Sequence, residues 1–394
     1  MDITHIQSAL SQRDLDGWLF YSFRGSDPIA TNILGLHEGH ATRRWFYFIP
    51  ASGEPTKIVH SIEREALDSL PGEKKVYLPW EQLHSHVRET LAGAKRVAMQ
   101  YSPMNAIPYI SRVDAGTVEL IRSFGTEVVG SADLVQEFEA VMRPEQLQTH
   151  LDAAIAMRAI VDTTYAEVAR RIRDGVPTLE REIQDFMMGL YAKANLVTDH
   201  PPIVAVGPNS AMPHYSPPEH GSALLKRGEL LLTDLWAKLD TPHSVYFDIT
   251  WTCFIDDHVP DENARVFDVV RGGRDAGIAF VQKRARAGEA VYGWEVDNAT
   301  RSAIAAEGYG DYFIHRTGHN IHEMVHGNGA NIDNLETRDE RRLVPNTCFS
   351  IEPGVYLPGK FGIRSEVDVY LTDNDAVVSG LPIQSHLIPV LSEY

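Results

Sequence analysis

Apolar and polar positions along this chain repeat with two different periods. In the first third, short apolar runs at 17–21, 44–49, 57–60 and 97–100 read as strands, and 62–69 reads as a helical stretch. Strands alternating with helices predict a small α/β domain. The pattern changes after Met142-Arg143. Pro144 stands where the first residue of a helix would be, and 148–173 carries Leu151, Ile155, Ile160 and Val168 on a helical period. Gly175 and Pro177 end that helix, and Thr178 is placed to cap a second one at 179–194. Two β-patterned runs follow, at 230–236 and 245–255. Then the order recurs: helices at 262–287 and 293–307, stopped by Gly288 and Gly308, and runs at 347–357 and 362–371. No residue-level repeat accompanies this order. It predicts a first domain at 1–142 and a second at 143–394 built from two pseudo-symmetric halves.

Carboxylates interrupt those runs at matching intervals. Asp234 and Asp248 lie fourteen residues apart in one half, and Glu352 and Glu366 fourteen apart in the other. Between them sits Gly318-His319-Asn320-Ile321-His322, with His326 seven residues after His319. A buried carboxylate is costly unless it is paired or binds a cation. Two hairpins facing each other would gather four such charges and one imidazole, a set that suits a two-metal hydrolytic centre. Oxygen donors with a single imidazole favour Mn²⁺ or Co²⁺ and admit Zn²⁺. Two cations sharing a bridging water would lower its pKa and hold both the attacking and the carbonyl oxygen.

Composition narrows the function classes. The formal net charge of −18 argues against nucleic acid or an anionic membrane surface as a main partner. Two cysteines, Cys253 and Cys348, make no disulfide framework and suit a reducing compartment. The start, Met1-Asp2-Ile3-Thr4-His5, lacks a signal-peptide pattern, and no apolar run nears the roughly 20 residues that span a bilayer. A cytoplasmic protein is expected.

The segments bearing these residues resemble the pita-bread metallopeptidases, the family of Xaa-Pro dipeptidase, Xaa-Pro aminopeptidase, methionine aminopeptidase and creatinase. Asp248-Ile249-Thr250, Gly318-His319 with His326, the 350–356 segment Ser-Ile-Glu-Pro-Gly-Val-Tyr and the 362–366 segment Gly-Ile-Arg-Ser-Glu are similar to its motifs in order. Asn209-Ser210-Ala211-Met212-Pro213-His214 is similar to the loop bearing its substrate-side histidine. The likeness spans roughly 144–390, and the first domain resembles that of the dipeptidase, aminopeptidase and creatinase branches. It implies a small α/β domain followed by a pita-bread α+β catalytic domain. It implies Asp234, Asp248, His319, Glu352 and Glu366 as metal ligands, and His214 and His326 as histidines facing substrate. Tyr356 resembles the family's intermediate-stabilising tyrosine, and a homodimer is expected.

This chain also departs from the family. The stretch 238–245 carries a short insertion, which leaves Asp240 as a rival to Asp234. Trp251 stands where an arginine is common, and His319-Asn320-Ile321-His322 replaces a glycine-rich run. His322 reads as structural. Arg364, two residues before Glu366, can orient that ligand or anchor a substrate carboxylate. Arg43 and Arg44 after Gly39-His40, and Arg338 and Arg341, are further candidates for a substrate carboxylate. Arg271-Gly272-Gly273-Arg274 sits in a helical pattern and cradles no phosphate. The expected activity is hydrolysis of Xaa-Pro dipeptides by a metal-bridged hydroxide. Xaa-Pro aminopeptidase is the closest alternative, and a non-catalytic binding protein on the same fold is the alternative from another class.

Overall fold

A computed structural model describes residues 2–36 and 41–394, so Gly39 and His40 lie outside the described residues. The chain folds as two compact units, Met1–Glu139 and Ala140–Tyr394.

The first unit contains α1 (Ile3–Gln12), β1 (Gly17–Ser22), α2 (Pro28–Leu34), β2 (Trp45–Pro50), β3 (Thr56–His60), β4 (Glu73–Tyr77) and α3 (Trp80–Thr90). It continues with β5 (Arg96–Met99), α4 (Ala115–Ser123), β6 (Glu127–Gly130) and α5 (Ala132–Glu139). The strands form one mixed sheet in the order β4-β3-β2-β1-β5-β6. Every residue of β1 is buried because both faces of the sheet are covered. Trp18 and Phe20 enter one core with Tyr47 and Ile49, whereas Leu19 and Tyr21 enter the opposite one with Phe46 and Phe48. The expected helix at 62–69 does not form. Only a 3₁₀ turn, Ser61–Glu63, is present, and turns follow it. The buried Lys57 ammonium takes the carbonyls of Leu67 and Leu70 as its acceptors, which ties this segment down as turns.

The second unit opens with α6 (Pro144–Arg173) and α7 (Glu180–Lys193), followed by β7 (Leu196–Val197), β8 (Ile203–Val206), β9 (Leu230–Leu239) and β10 (Phe247–Phe254). Pro144 is the first residue of α6, as the pattern predicts. Ile155 is not on its buried stripe; it is 73% exposed. The stripe runs through Ala154, Met157, Val161, Tyr165 and Val168, one position away from Ile155 around the helix. Thr178 does not cap α7. Its hydroxyl donates to the Val176 carbonyl, and the Glu182 carboxylate instead accepts from the Leu179 amide at the helix start.

The second half repeats this plan with α8 (Asp261–Arg286) and α9 (Gly293–Ala306). Then come β11 (Asn320–Ile321), β12 (Thr347–Ile351), β13 (Gly354–Leu357), β14 (Phe361–Arg364), β15 (Val367–Leu371), β16 (Ala376–Val378), β17 (Ile388–Pro389) and α10 (Val390–Glu393). Gly273 belongs to the contact of α8 with α9, where a Cβ would sit 2.7 Å from Ile304. One sheet runs β17-β10-β9-β7, with β8 also on β9; another runs β11-β12-β15-β16. The runs 347–357 and 362–371 are not continuous strands. Each breaks at its glutamate: β12 and β15 pair in one sheet, and β13 and β14 continue as a separate ribbon. Glu352-Pro353 and Ser365-Glu366 are the two breaks, side by side where the hairpin changes sheets. Pro353 carries no backbone N–H, which suits a point where the ladder stops.

Candidate metal centre

The register of the first hairpin aims both aspartates the same way. Asp234 on β9 faces Thr250 on β10, and Asp248 lies two residues from Thr250 on the same side. From the second hairpin, Glu352 and Glu366 occupy the breaks just described. His319 precedes β11, with its amide donating to Ser350 Oγ at 3.0 Å. Ser350 Oγ is also 3.1 Å from Glu352 Oε1.

These side chains meet. Ligand atoms of Asp248, His319 and Glu366 lie within 4.8 Å of one another, all three residues buried. His319 Nε2 is 3.3 Å from Glu352 Oε1 and 3.7 Å from Asp248 Oδ2. Asp234 joins through Thr250, whose hydroxyl lies 2.9 Å from Asp234 Oδ1 and 2.8 Å from Glu366 Oε2. Arg364 Nε donates to the same hydroxyl at 3.0 Å, and Arg364 Nη2 pairs with Asp234 Oδ2 at 2.5 Å. Asp240 is exposed in the turn after β9, away from this group.

The electrostatics call for a cation. Burial, and then the charge of Asp234, push the Asp248 carboxyl well above its usual range; burial, and then Asp248 and Glu352, do the same to Glu366. Burial pushes Glu352 up to about 7. His319 is held well below its ordinary value, first by burial. Its Nδ1 lies 3.3 Å from the Asn320 carbonyl, which can only accept, so Nδ1 carries the proton and the Nε2 lone pair faces carboxylate oxygens. Asp248 Oδ1 is buried with no hydrogen-bond partner. Lone pairs turned on one another in a dry pocket are costly, and an orphaned carboxylate oxygen more so. The donor set therefore fits divalent cations of the oxygen-preferring type, with one imidazole.

Around this group lie the other predicted residues. His326 is exposed, its ring 4.3 Å from that of His319. His214 is exposed on the loop after β8. Tyr356 is buried on β13, its hydroxyl 2.8 Å from His315 Nε2 and 3.0 Å from Arg364 Nη1. His315 Nδ1 donates to the Arg316 carbonyl at 2.7 Å, so Nε2 accepts and the Tyr356 hydroxyl is its donor. Burial, helped by the Arg364 charge, lowers His315 to about 3, which keeps it neutral. Arg364 is not on a common strand with Glu366, because β14 ends at Arg364. Its guanidinium is taken up by Asp234, Thr250, Tyr356 and the Pro213 carbonyl. Arg341 is buried on Asp339 and two carbonyls, and Arg338 pairs with Glu340.

Four contributors are not among the site residues that the sequence points to, although Thr250, Ser350 and Arg274 lie in segments named above. His315, four residues before His319 in the same glycine-bearing segment, was the most accessible of them. Thr250 and Ser350 look like ordinary strand residues until the pairing is known. The fourth is Arg274 on α8, 1% exposed, which donates to Ser365 Oγ at 2.6 Å beside Glu366. Two departures from the family also find physical partners. Trp251 carries the Arg158 guanidinium over its ring at 3.6 Å. Asn320 is buried and bonds to the Cys348 carbonyl and the Gly329 amide. A Cβ on Gly327 would sit 2.2 Å from Asn320 Oδ1, so glycine there makes room for that amide. The stretch 238–245, which begins at the end of β9, reaches the histidine segment, where Lys238 Nζ donates to the Glu323 carbonyl at 2.7 Å. His322 lies half-buried there.

Known proteins share this fold. Solved structures with the same fold include dipeptidase PepE from Mycobacterium ulcerans, at a TM-score of 0.72, 23% identity, and coverage of 98% of this chain and 96% of that one. A recombinant prolidase from Thermococcus sibiricus aligns at a TM-score of 0.66 and 22% identity, over 98% and 99% of the two chains. The fold is thus the pita-bread fold that the motifs imply. In sequence, the chain is 26% identical over 350 residues to the probable dipeptidase PepE of Mycobacterium bovis, covering 87% of this chain and 85% of the relative. It is 27% identical over 297 residues to the Xaa-Pro dipeptidase of Lactobacillus helveticus, covering 73% and 71%. The model of metallopeptidase family M24 matches residues 153–373, the span that holds every residue of the buried carboxylate and histidine group, and the chain belongs to that family.

Proposed function

We propose that this protein hydrolyses Xaa-Pro dipeptides with two divalent cations, Mn²⁺ or Co²⁺ by preference, held by Asp234, Asp248, His319, Glu352 and Glu366. The observation that carries the reading is the buried group of Asp248, His319 and Glu366, with Asp248 Oδ1 left without a partner. When bound, the cations would polarise the scissile carbonyl and lower the pKa of the attacking water. The protein's own residues do the rest. Thr250, Ser350 and Arg364 fix the carboxylates in place through the bonds given above. His214 and His326 are exposed, and their imidazoles are suited to donating a hydrogen bond to a developing oxyanion or carrying a proton to the leaving amine. Tyr356 is kept protonated, its pKa pushed up to about 12 by burial, and is locked between His315 and Arg364.

The preference for a dipeptide draws on the Xaa-Pro dipeptidase name of the Lactobacillus helveticus relative. Hydrolysis of Xaa-Pro and Xaa-Pro-Yaa peptides by metal-loaded protein decides it. Turnover of Xaa-Pro alone is expected; faster release of the first residue from the longer peptides would make the protein an aminopeptidase.

A further inference from the structure

Behind Asp248 lies a second group of metal-ligating side chains that the proposed reaction does not use. The Asp248 backbone amide donates to Asp368 Oδ2 at 2.8 Å. Asp368, on β15, is wholly buried, and its other oxygen, Oδ1, has no hydrogen-bond partner. Cys348 on β12 and His150 on α6 are equally buried, and one ligand atom from each of the three lies within 4.8 Å of the others.

The histidine is set up to ligate. Its Nδ1 is 2.6 Å from the Tyr246 carbonyl, so that nitrogen carries the proton, and the Nε2 lone pair accepts the Ser379 hydroxyl, a bond that a metal would displace. Nε2 is 3.9 Å from Cys348 Sγ. An ion with Zn–S of about 2.3 Å and Zn–N of about 2.0–2.1 Å in tetrahedral geometry spaces such atoms about 3.5 Å apart, so small side-chain shifts would close the site. Ser379 Oγ, 2.8 Å from Nε2, supplies an oxygen for a fourth position. A carboxylate oxygen without a partner in a dry interior is the feature that hydrogen bonding within the protein leaves unexplained.

We propose that His150, Cys348 and Asp368 form a second metal site, separate from the Asp248–His319–Glu366 centre, that takes Zn²⁺. One thiolate, one imidazole and one carboxylate suit zinc, whereas the other centre contains no sulfur ligand. Binding breaks the Cys348 S–H bond, forms the sulfur–metal bond and releases that proton to solvent. The ion joins α6 to the sheet carrying Asp248's support, so its role is to fix that support. Its burial means that it enters while the chain folds. The assignment does not depend on which peptide the protein cleaves.

Cobalt is the probe, because a thiolate ligand gives Co²⁺ a near-ultraviolet charge-transfer band that carboxylate and imidazole ligands do not. The full chain is produced in cobalt-supplemented medium so that the ion is present during folding. We expect the band, its loss when zinc replaces cobalt in the medium, its absence in Cys348→Ser and its retention in Cys253→Ser. X-ray absorption on the unmodified protein covers the case of a variant that does not fold, and should show a sulfur neighbour at about 2.3 Å. Folded, cobalt-loaded protein with only oxygen and nitrogen neighbours would mean that water fills the cluster, and would overturn the assignment. So would a band that survives Cys348→Ser.

Discussion

At the residue scale, the centre works by denying water to groups that want it. His326 stands beside His319 but remains exposed, so under the proposed function it would handle the substrate rather than hold a cation. His326→Ala should keep metal content near normal while kcat falls about 10²–10⁴-fold, the usual cost of a lost oxyanion donor or proton carrier. His322→Ala, in the half-buried packing beside Glu323, should cost far less. Kinetics measured alongside metal content separate the two, and an unchanged kcat in His326→Ala would remove that residue from the mechanism. Glu366→Ala and Glu352→Ala act on the other function. Each leaves the remaining cluster unbalanced, an effect on the order of 3–5 kcal/mol for a buried partner. Metal analysis after dialysis should find depleted ions, and Asp234→Ala should behave alike. Asp240→Ala, in an exposed turn, should leave both metal and activity intact; loss there with a silent Asp234 would reverse the assignment.

At the element scale, loops are held by single buried groups. The Glu180 carboxylate at the start of α7 accepts from the Val206 amide, Asn209 Nδ2, the Tyr215 hydroxyl and the Ala223 amide, and so pins the loop that carries His214. In Glu180→Gln, whichever way the amide turns, two of those donors face an N–H₂. An unpaired buried donor costs about 1–3 kcal/mol, so the loop should loosen. The expected readout is a roughly tenfold or greater fall in kcat/KM, equivalent to about 1.4 kcal/mol, at unchanged metal content. Loss of metal together with activity would show instead that the whole unit had failed. Gly293, the first residue of α9, is a second such point. A Cβ there would lie 1.8 Å from the Asn331 carbonyl oxygen, and Asn331 Oδ1 accepts from the Asn320 amide next to His319. Gly293→Ala should destabilise the protein by about 1–3 kcal/mol, seen in denaturant unfolding, because backbone must move to admit it.

At the scale of the whole molecule, the centre links metal, protons and stability. Without metal, Glu352 binds its proton more tightly folded, at about 7, than its ordinary 4.5. A native state that holds more protons than the unfolded chain loses stability as pH rises through that window. Chelated protein should therefore melt at a higher temperature near pH 5 than near pH 7 as far as this group contributes. The raised Asp248 and Glu366 add in the same direction. Metal reverses the sign, because ligands must shed protons to bind it. Mn²⁺ at a fixed concentration, 100 times its Kd at pH 5, should add about 2.7 kcal/mol there, and more as pH rises to 7.5 and the Kd falls. Thermal melts with and without chelator across that range test both slopes. Parallel slopes would mean that these carboxylates do not hold the ion.

The sequence by itself determined the elements and their order. The proline opening α6, the long helices α8 and α9, and the apolar runs around each acid were legible because helix and strand periods are local properties of the chain. The motif order was legible too, and with it the family. Local pattern also misled. It drew one continuous strand through each glutamate, made 62–69 a helix and gave Thr178 a cap it does not make, because a sheet change at Pro353, the reach of Lys57 and the competing side chain of Glu182 are settled by partners elsewhere. Only the tertiary structure decided which acids share a pocket and what surrounds them. Thr250 between Asp234 and Glu366, His315 on Tyr356, Arg274 beside Glu366 and Asp368 behind Asp248 carry no periodic signal. Their roles come from residues 16 to 120 positions away brought within hydrogen-bond reach, and from the burial that makes each unpaired oxygen costly.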